Sequence, residues 1–226
     1  MTEKLLDCVE IETAPNPAAS VIWMHGLGAD GNDFVPIVNE LRLPARPAIR
    51  FVFPHAPMQP VTINGGAVMR AWYDISFDGL ARRADEAGIR RSQAEIEKLI
   101  AREKQRGSAA ARIVLAGFSQ GGAITLQTGL RHPQRLAGLM VLSSYLPLAE
   151  SVPAEANAAN RDVPIFMAHG SHDPMVPMSL AAQSSGRLLQ MGYPLEWREY
   201  PMEHSVCLEE VTDIAQWLGK ILVNSE

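Results

Sequence analysis

The sequence predicts a three-layer α/β fold, in which a mostly parallel central sheet carries helices on both faces. Short apolar runs alternate with longer stretches at helical spacing, which is typical of successive βα units. Glycines and polar residues follow the predicted strands, where parallel α/β proteins place their functional groups. No repeat, linker or low-complexity segment divides the sequence, so we expect a single domain over residues 1–226.

The first half of the chain contains the opening βα units. Apolar runs predict strands at residues 8–12, 20–24 and 49–53, and a helix is predicted over residues 32–41. Prolines and glycines recur in the interval 56–80, which therefore predicts an irregular loop that covers the substrate. A further helix is predicted over residues 83–106 and ends at Gly107.

The pentapeptide Gly-Phe-Ser-Gln-Gly at residues 117–121 is the most informative motif. It follows the apolar run 112–116 and precedes a helical stretch at 122–131, which ends before Pro133. In a strand-to-helix elbow of this kind the serine backbone is strained, and the two glycines leave room for neighbouring backbone. Ser119 is therefore the candidate nucleophile.

A nucleophilic serine needs a base and an acid that orients the base. Asp173 lies on the loop after a predicted strand at 163–168, and His204 follows a predicted strand at 195–200. A helical stretch at 205–222 comes next. The chain order Ser, Asp, His is the one expected when each residue follows a strand of one sheet. Ser119, Asp173 and His204 are therefore the predicted catalytic residues.

Other polar residues compete less well for these roles. Asp213 falls inside a predicted helix, and Glu203 adjoins the candidate base too closely to orient it. Cys207 lies three residues from His204 at the start of a helix that would lower its pKa, but the elbow position holds serine. The chain lacks His-Glu-x-x-His and Cys-x-x-Cys spacings, so we expect neither a metal nor a cofactor.

Backbone amides must stabilise the charge that develops on the substrate oxygen. The predicted strand 20–24 runs into a glycine-flanked loop at 25–28, in which the amide of Leu27 is one candidate donor. The amide of Gln120 is the other, because it follows the nucleophile at the amino end of a helix.

The motifs together resemble the acyl-protein thioesterase and carboxylesterase type II family of the α/β-hydrolase fold, also called the phospholipase/carboxylesterase family. The resemblance implies the same triad and the same two oxyanion donors. Tyr73 stands where the family pattern has phenylalanine, which would make the acyl pocket more polar. The matching segments extend from about residue 20 to residue 222 and include residues 25–28, 54–57, 72–75, 117–122, 143–148 and 169–177.

The resemblance also implies an acyl groove beside Ser119. For Trp72 a role as a packing plug over the core is an equally good interpretation, since an aromatic loop covers either core or substrate. Most of the ten methionines are expected to pack in the interior, but Met175 lies two residues from Asp173. The predicted substrate-binding residues are Trp72, Ile75, Phe77, Met175 and Val176.

Composition excludes several other classes of partner. A net charge of −5 and a pI near 5.7 are not typical of proteins that bind nucleic acid, which carry an excess of positive charge. No run of residues is apolar and long enough for a signal peptide or a membrane span, and two cysteines do not require a disulfide framework. We therefore expect a cytoplasmic protein that acts on a small-molecule ester or thioester, and an exposed aromatic loop beside the site is compatible with a homodimer.

Three functions follow from these observations. The first is a serine hydrolase that cleaves carboxylic esters of short to medium acyl chains with broad specificity. The second is an acyl-protein thioesterase or lysophospholipase that acts on longer chains, because both ester and thioester carbonyls need the same groups. The third, of another class, is a non-catalytic interaction module on a hydrolase scaffold, which is disfavoured because all three triad positions are filled.

Overall fold

The computed structural model describes residues 4–44, 46–78 and 81–223, and the side chains of all of these except residues 77, 78, 81–84 and 223. Its central element is a seven-stranded sheet, formed by β1 Cys8–Glu12, β2 Ala19–Met24, β3 Ile49–Pro54, β8 Ile113–Phe118, β9 Gly138–Leu142, β10 Ile165–Gly170 and β11 Leu195–Tyr200. The strand order is β1-β3-β2-β8-β9-β10-β11. Strand β1 is antiparallel to β3, and every other neighbouring pair is parallel.

Helices cover both faces of this sheet. Alternate residues of β2 enter two different cores, since Ile22 packs with one cluster and Trp23 with the other. The first cluster includes residues of α2, α3 and α5, and the second includes residues of α1 and α6. The predicted three-layer α/β fold is confirmed. The helices are α1 Ile37–Glu40, α2 Glu86–Gln105, α3 Gln120–Gly129, α4 Val152–Glu155, α5 Met178–Gln190 and α6 Leu208–Val223.

The interval 56–80 differs from the predicted irregular loop. It contains an antiparallel hairpin of β4 Met58–Val61 and β5 Ala67–Arg70, and it enters a second hairpin of β6 Ile75–Asp78 and β7 Ala81–Ala84. The glycines that suggested irregularity make the first turn, because Gly65 and Gly66 both have positive φ. Pro60 is tolerated because the two-stranded sheet leaves β4 with a free edge.

The predicted helix at 32–41 is also shorter in the structure. Residues 31–36 form turns, and α1 begins only after Pro36. Both cysteines, Cys8 and Cys207, are free thiols. Among the described residues no helix is both long and apolar enough to cross a membrane.

Candidate active site

Ser119 occupies a strained turn between β8 and α3. Its φ is 53° and its ψ is −118°, a conformation that L-residues rarely adopt. The amide of Ser119 donates to Leu142 O at 2.9 Å, and the Ser144 hydroxyl donates to Ser119 O at 2.6 Å. A Cβ at Gly117 would lie 2.2 Å from Gly121 C, and one at Gly121 would lie 2.3 Å from Met24 O. Both glycines of the motif are therefore required by close backbone approach.

Asp173 and His204 form a hydrogen-bonded pair. The distance between His204 Nδ1 and Asp173 Oδ2 is 2.7 Å. The other carboxylate oxygen, Oδ1, accepts from the amides of Met175 at 2.8 Å and Val176 at 2.9 Å. The Asp173 side chain is fully buried, so the carboxylate is fixed before any substrate arrives. This arrangement places the proton of the neutral imidazole on Nδ1 and leaves Nε2 as its basic nitrogen.

The ring of Phe118, the residue before Ser119, lies 4.7 Å from the ring of His204 between centroids. Ser119 and His204 line the same cavity of about 390 Å³. The structure thus brings the candidate nucleophile and base to one cavity, with Asp173 behind the base. Its lining residues are Gly26, Leu27, Gly28, Ala29, Asp33, Ile63, Asn64, Met69, Ile75, Phe118, Ser119, Gln120, Tyr145, Met175, Val176 and His204.

Three of the five predicted substrate-binding residues, Ile75, Met175 and Val176, line this cavity. Trp72 is not among the lining residues, because its indole is 1% exposed and packs in the core. Its Nε1–H donates to His25 O at 2.9 Å, so the buried indole N–H has a hydrogen-bond acceptor. For Trp72 the structure therefore favours the role of a packing plug. The side chain of Phe77 lies outside the described part of the chain.

Leu27 and Gln120, the predicted oxyanion donors, both line the cavity. Within the described ranges, neither amide hydrogen is donated to a protein acceptor. The loop that carries Leu27 is held by His25, whose Nδ1–H donates to Gly26 O at 2.7 Å and whose Nε2 accepts from Ala56 N at 3.0 Å. Burial lowers the pKa of His25 to about 4, so its imidazole is neutral at pH 7 and is able to accept.

Gln120 also has a side-chain contact that sequence reasoning missed. Its Oε1 accepts from Trp72 N at 2.8 Å, and its Nε2 donates to Tyr73 O at 2.7 Å. The Tyr73 hydroxyl in turn lies 2.7 Å from the hydroxyl of Tyr145, which lines the cavity. The elbow is therefore tied to the 72–75 segment that supplies the wall at Ile75. No local pattern in the sequence signals a pairing across 47 or 48 residues.

His169 also contacts the Asp173 loop. Its buried Nε2 lies 2.9 Å from Val176 O and 3.4 Å from Asp173 Oδ2. Nε2 therefore carries the hydrogen and donates to the Val176 carbonyl. The position of His169 at the end of β10 was the available signal. Among the described residues, no group of three or more His, Cys, Asp or Glu side chains is arranged to hold a metal ion.

Comparison with known proteins identifies the family to which the chain belongs. The family model described as Phospholipase/Carboxylesterase matches residues 6–222. The chain belongs to the phospholipase/carboxylesterase family. Its relatives in that family include "Acyl-protein thioesterase 1" of Neurospora crassa, which is 44% identical over 215 residues that cover 90% of this chain and 87% of the relative. The protein of the same name from Gibberella zeae is 38% identical, with 92% of this chain and 93% of the relative covered.

Solved structures of similar proteins have the same fold. Arabidopsis thaliana SOBER1 superposes with a TM-score of 0.84 at 31% identity, covering 90% of this chain and 99% of that one. Zea mays acyl-protein thioesterase 2 has a TM-score of 0.83 at 24% identity, covering 96% and 99%. The phospholipase/carboxylesterase chain described here is accordingly an α/β-hydrolase of the esterase and thioesterase type.

Proposed function

We propose that this protein is an acyl-protein thioesterase that works through Ser119, His204 and Asp173. The observation that carries the proposal is the pair of His204 and Asp173, joined at 2.7 Å, on the cavity that also holds the strained Ser119. Relatives named acyl-protein thioesterase 1, at 37–44% identity over about nine-tenths of the chain, favour thioesters of protein cysteines over the general esters expected first from the sequence.

The proposed mechanism proceeds through an acyl-enzyme. His204 Nε2 removes the proton of Ser119 Oγ as this oxygen attacks the acyl carbonyl. The tetrahedral oxyanion accepts hydrogen bonds from the amides of Leu27 and Gln120, and the imidazolium returns its proton to the leaving thiolate. Water, activated by the same imidazole, then attacks the acyl-serine and releases the fatty acid. Asp173 holds the imidazole in the required tautomer throughout.

The cavity wall supports an acyl substrate. Ile63, Met69, Ile75, Met175 and Val176 present an apolar lining beside Ser119. A flexible methionine adapts to chains of different length, and Met69 and Met175 are two such residues. Cleavage of carboxylic esters is the second candidate, since an ester carbonyl meets the same nucleophile and the same donors.

The test is a series of matched p-nitrophenyl esters and alkyl thioesters with acyl chains of two to sixteen carbons. The proposal expects thioesters of medium to long chains to give the highest kcat/KM. Ser119→Ala is expected to lower turnover by about 10⁴-fold or more, because only binding and the oxyanion donors remain. A peak on short oxygen esters would favour the carboxylesterase candidate, and equal rates for wild type and Ser119→Ala would overturn both.

We also propose that the protein acts in the cytoplasm. Both cysteines are free thiols, which is ordinary for a compartment that keeps thiols reduced. Cell fractionation, with antibody detection of the untagged protein, tests this placement.

A further inference from the structure

We infer that Asp33 is a specificity-determining residue that favours substrates whose leaving group carries a positive charge near the scissile bond. The inference rests on the proposed function and narrows its substrate class. In this inference, the Asp33 carboxylate attracts an ammonium group on the thiol or alcohol that leaves.

The first observation is the isolation of this carboxylate. Among the described residues that line the cavity, Asp33 is the one carboxylate, and no lysine or arginine joins it. In the part of the chain that the structure describes, its side chain has no ion-pair or hydrogen-bond partner. Partial burial and the negative charge of Asp30 raise the pKa of Asp33, and no cation lowers it. The carboxylate therefore remains available to an incoming cation.

The second observation is a row of aromatic rings between the Asp33 segment and the candidate base. The neighbouring Phe34 packs on Phe118 with ring centroids 5.6 Å apart, and Phe118 packs on His204 at 4.7 Å. This row of rings links the Asp33 segment to the base. The base must deliver its proton to the leaving group, so the leaving group departs on the side of His204. Ile63, Met69 and Ile75, from the first hairpin and the segment after it, line the same cavity and are the apolar residues to which the proposed function assigns the acyl chain.

The size of the effect follows from the exposure of Asp33. Opposite charges several ångströms apart at a wet rim attract each other weakly, and salt screens them. We therefore expect a selectivity of roughly three- to tenfold for a cationic over a neutral leaving group at low salt. An anionic leaving group should be disfavoured by a similar factor, because no lysine or arginine among the described lining residues offsets Asp33.

The experiment compares three thioesters with the same octanoyl chain, whose released thiols are measured with one reagent. S-octanoylthiocholine carries a quaternary ammonium, S-(3,3-dimethylbutyl) thiooctanoate is its neutral carbon isostere, and S-octanoyl-3-mercaptopropionate is anionic. Wild type, the isosteric Asp33→Asn and Glu40→Gln are assayed at 20 mM and 500 mM salt. Glu40→Gln makes the same change in net charge at an exposed residue of α1, which is not among the cavity residues.

The expected result is a fall of roughly three- to tenfold in the ratio of cationic to neutral kcat/KM in Asp33→Asn, with the neutral kcat/KM changed less than twofold. High salt should also lower this ratio in the wild type. At low salt Glu40→Gln should have the same ratio as the wild type. An unchanged ratio in Asp33→Asn, with the neutral thioester still cleaved, would overturn this inference alone. Failure of wild type to cleave any of the three would overturn the proposed function as well.

Discussion

Gln120 connects the turn at Ser119 to the 72–75 segment. It lines the cavity, its amide hydrogen has no protein acceptor within the described ranges, and its buried side chain holds Trp72 N and Tyr73 O. One residue therefore fixes both a candidate oxyanion donor and the segment that carries the cavity wall. Buried hydrogen bonds of this kind stabilise a single arrangement when both partners are satisfied.

Gln120→Met removes these side-chain bonds and keeps the backbone amide. We expect it to lower the free energy of unfolding by about 1–3 kcal/mol, because Trp72 N loses its buried acceptor. The differences in kcat/KM between acyl chains of different length should become smaller, while kcat/KM for the acetyl ester falls less than tenfold. Urea unfolding and the acyl-chain series measure both effects. Gln120→Glu, which keeps an acceptor for Trp72 N, is the matched control, and an equal loss at every chain length in Gln120→Met would contradict this role.

Glu210 is a buried carboxyl group that the proposed chemistry does not use. It is 0% exposed, and among the described residues neither of its oxygens makes a hydrogen bond of ordinary geometry. Burial raises its pKa from 4.5 to about 8; the nearby Cys207 amide opposes this shift only in part, and Asp213 adds a smaller upward contribution. The group is therefore protonated in the folded protein at pH 7 and ionised in the unfolded chain. Its contribution to stability is lost as the pH rises from about 4.5 to about 8.

Glu210→Gln should remove this pH dependence. Relative to wild type, the variant is expected to gain on the order of 3 kcal/mol in free energy of unfolding between pH 5 and pH 8. Urea unfolding of both proteins at pH 5, 6.5 and 8 measures the difference. If the free energies of unfolding of the two proteins change with pH by the same amount, the folded-state pKa of Glu210 is not raised.

The triad candidates were accessible to sequence reasoning because each lies within five residues of the end of a predicted strand. Ser119 is marked by its flanking glycines, and Asp173 and His204 by their chain order. The side-chain contacts of Gln120 and the position of Asp33 on the same cavity as His204 were not accessible. They depend on tertiary packing, such as the Phe34 and Phe118 rings at 5.6 Å, which no local pattern encodes.

At the scale of elements, contiguous apolar runs predicted the strands well. The predicted strand at 8–12 has the observed bounds of β1, and β2 and β8 differ by a residue or two. β9 and α5 are absent from the sequence-based prediction. The serine- and glutamine-rich sequence of α5 gives a weak helical signal, while the apolar Gly138–Leu142 run carried a usable one. The hairpins in 56–80 were hidden because proline and glycine mark turns as readily as irregular loops.

Helix α5 offers a test of element stability. A Cβ at Gly186 would meet nothing within 4 Å, so the glycine only adds freedom to the unfolded chain. Gly186→Ala should raise the free energy of unfolding by about 0.5–1 kcal/mol, as measured in urea. Gly138→Ala is the contrast, because a Cβ there would lie 2.7 Å from the Trp217 ring and should destabilise the protein. A loss of stability in Gly186→Ala would show that α5 is not helical at this position.

At the scale of the whole molecule, the sheet order explains how distant residues converge. The candidate residues Leu27, Ser119, Asp173 and His204 follow β2, β8, β10 and β11, and these four strands run parallel in one sheet. Their carboxyl ends share one edge, where parallel α/β proteins bind ligands. Ser119 and Asp173 are 54 positions apart in the sequence, and the topology of the sheet brings them to the same edge.

The central claim is that Ser119 is the activated nucleophile of this hydrolase. Labelling with a fluorophosphonate, followed by intact-mass and peptide mapping, tests it most directly, because the reagent forms a covalent adduct only with an activated serine. We predict one adduct per wild-type chain, on the peptide that contains Ser119, and none on Ser119→Ala. Labelling at another residue, or equal labelling of Ser119→Ala, would contradict the claim.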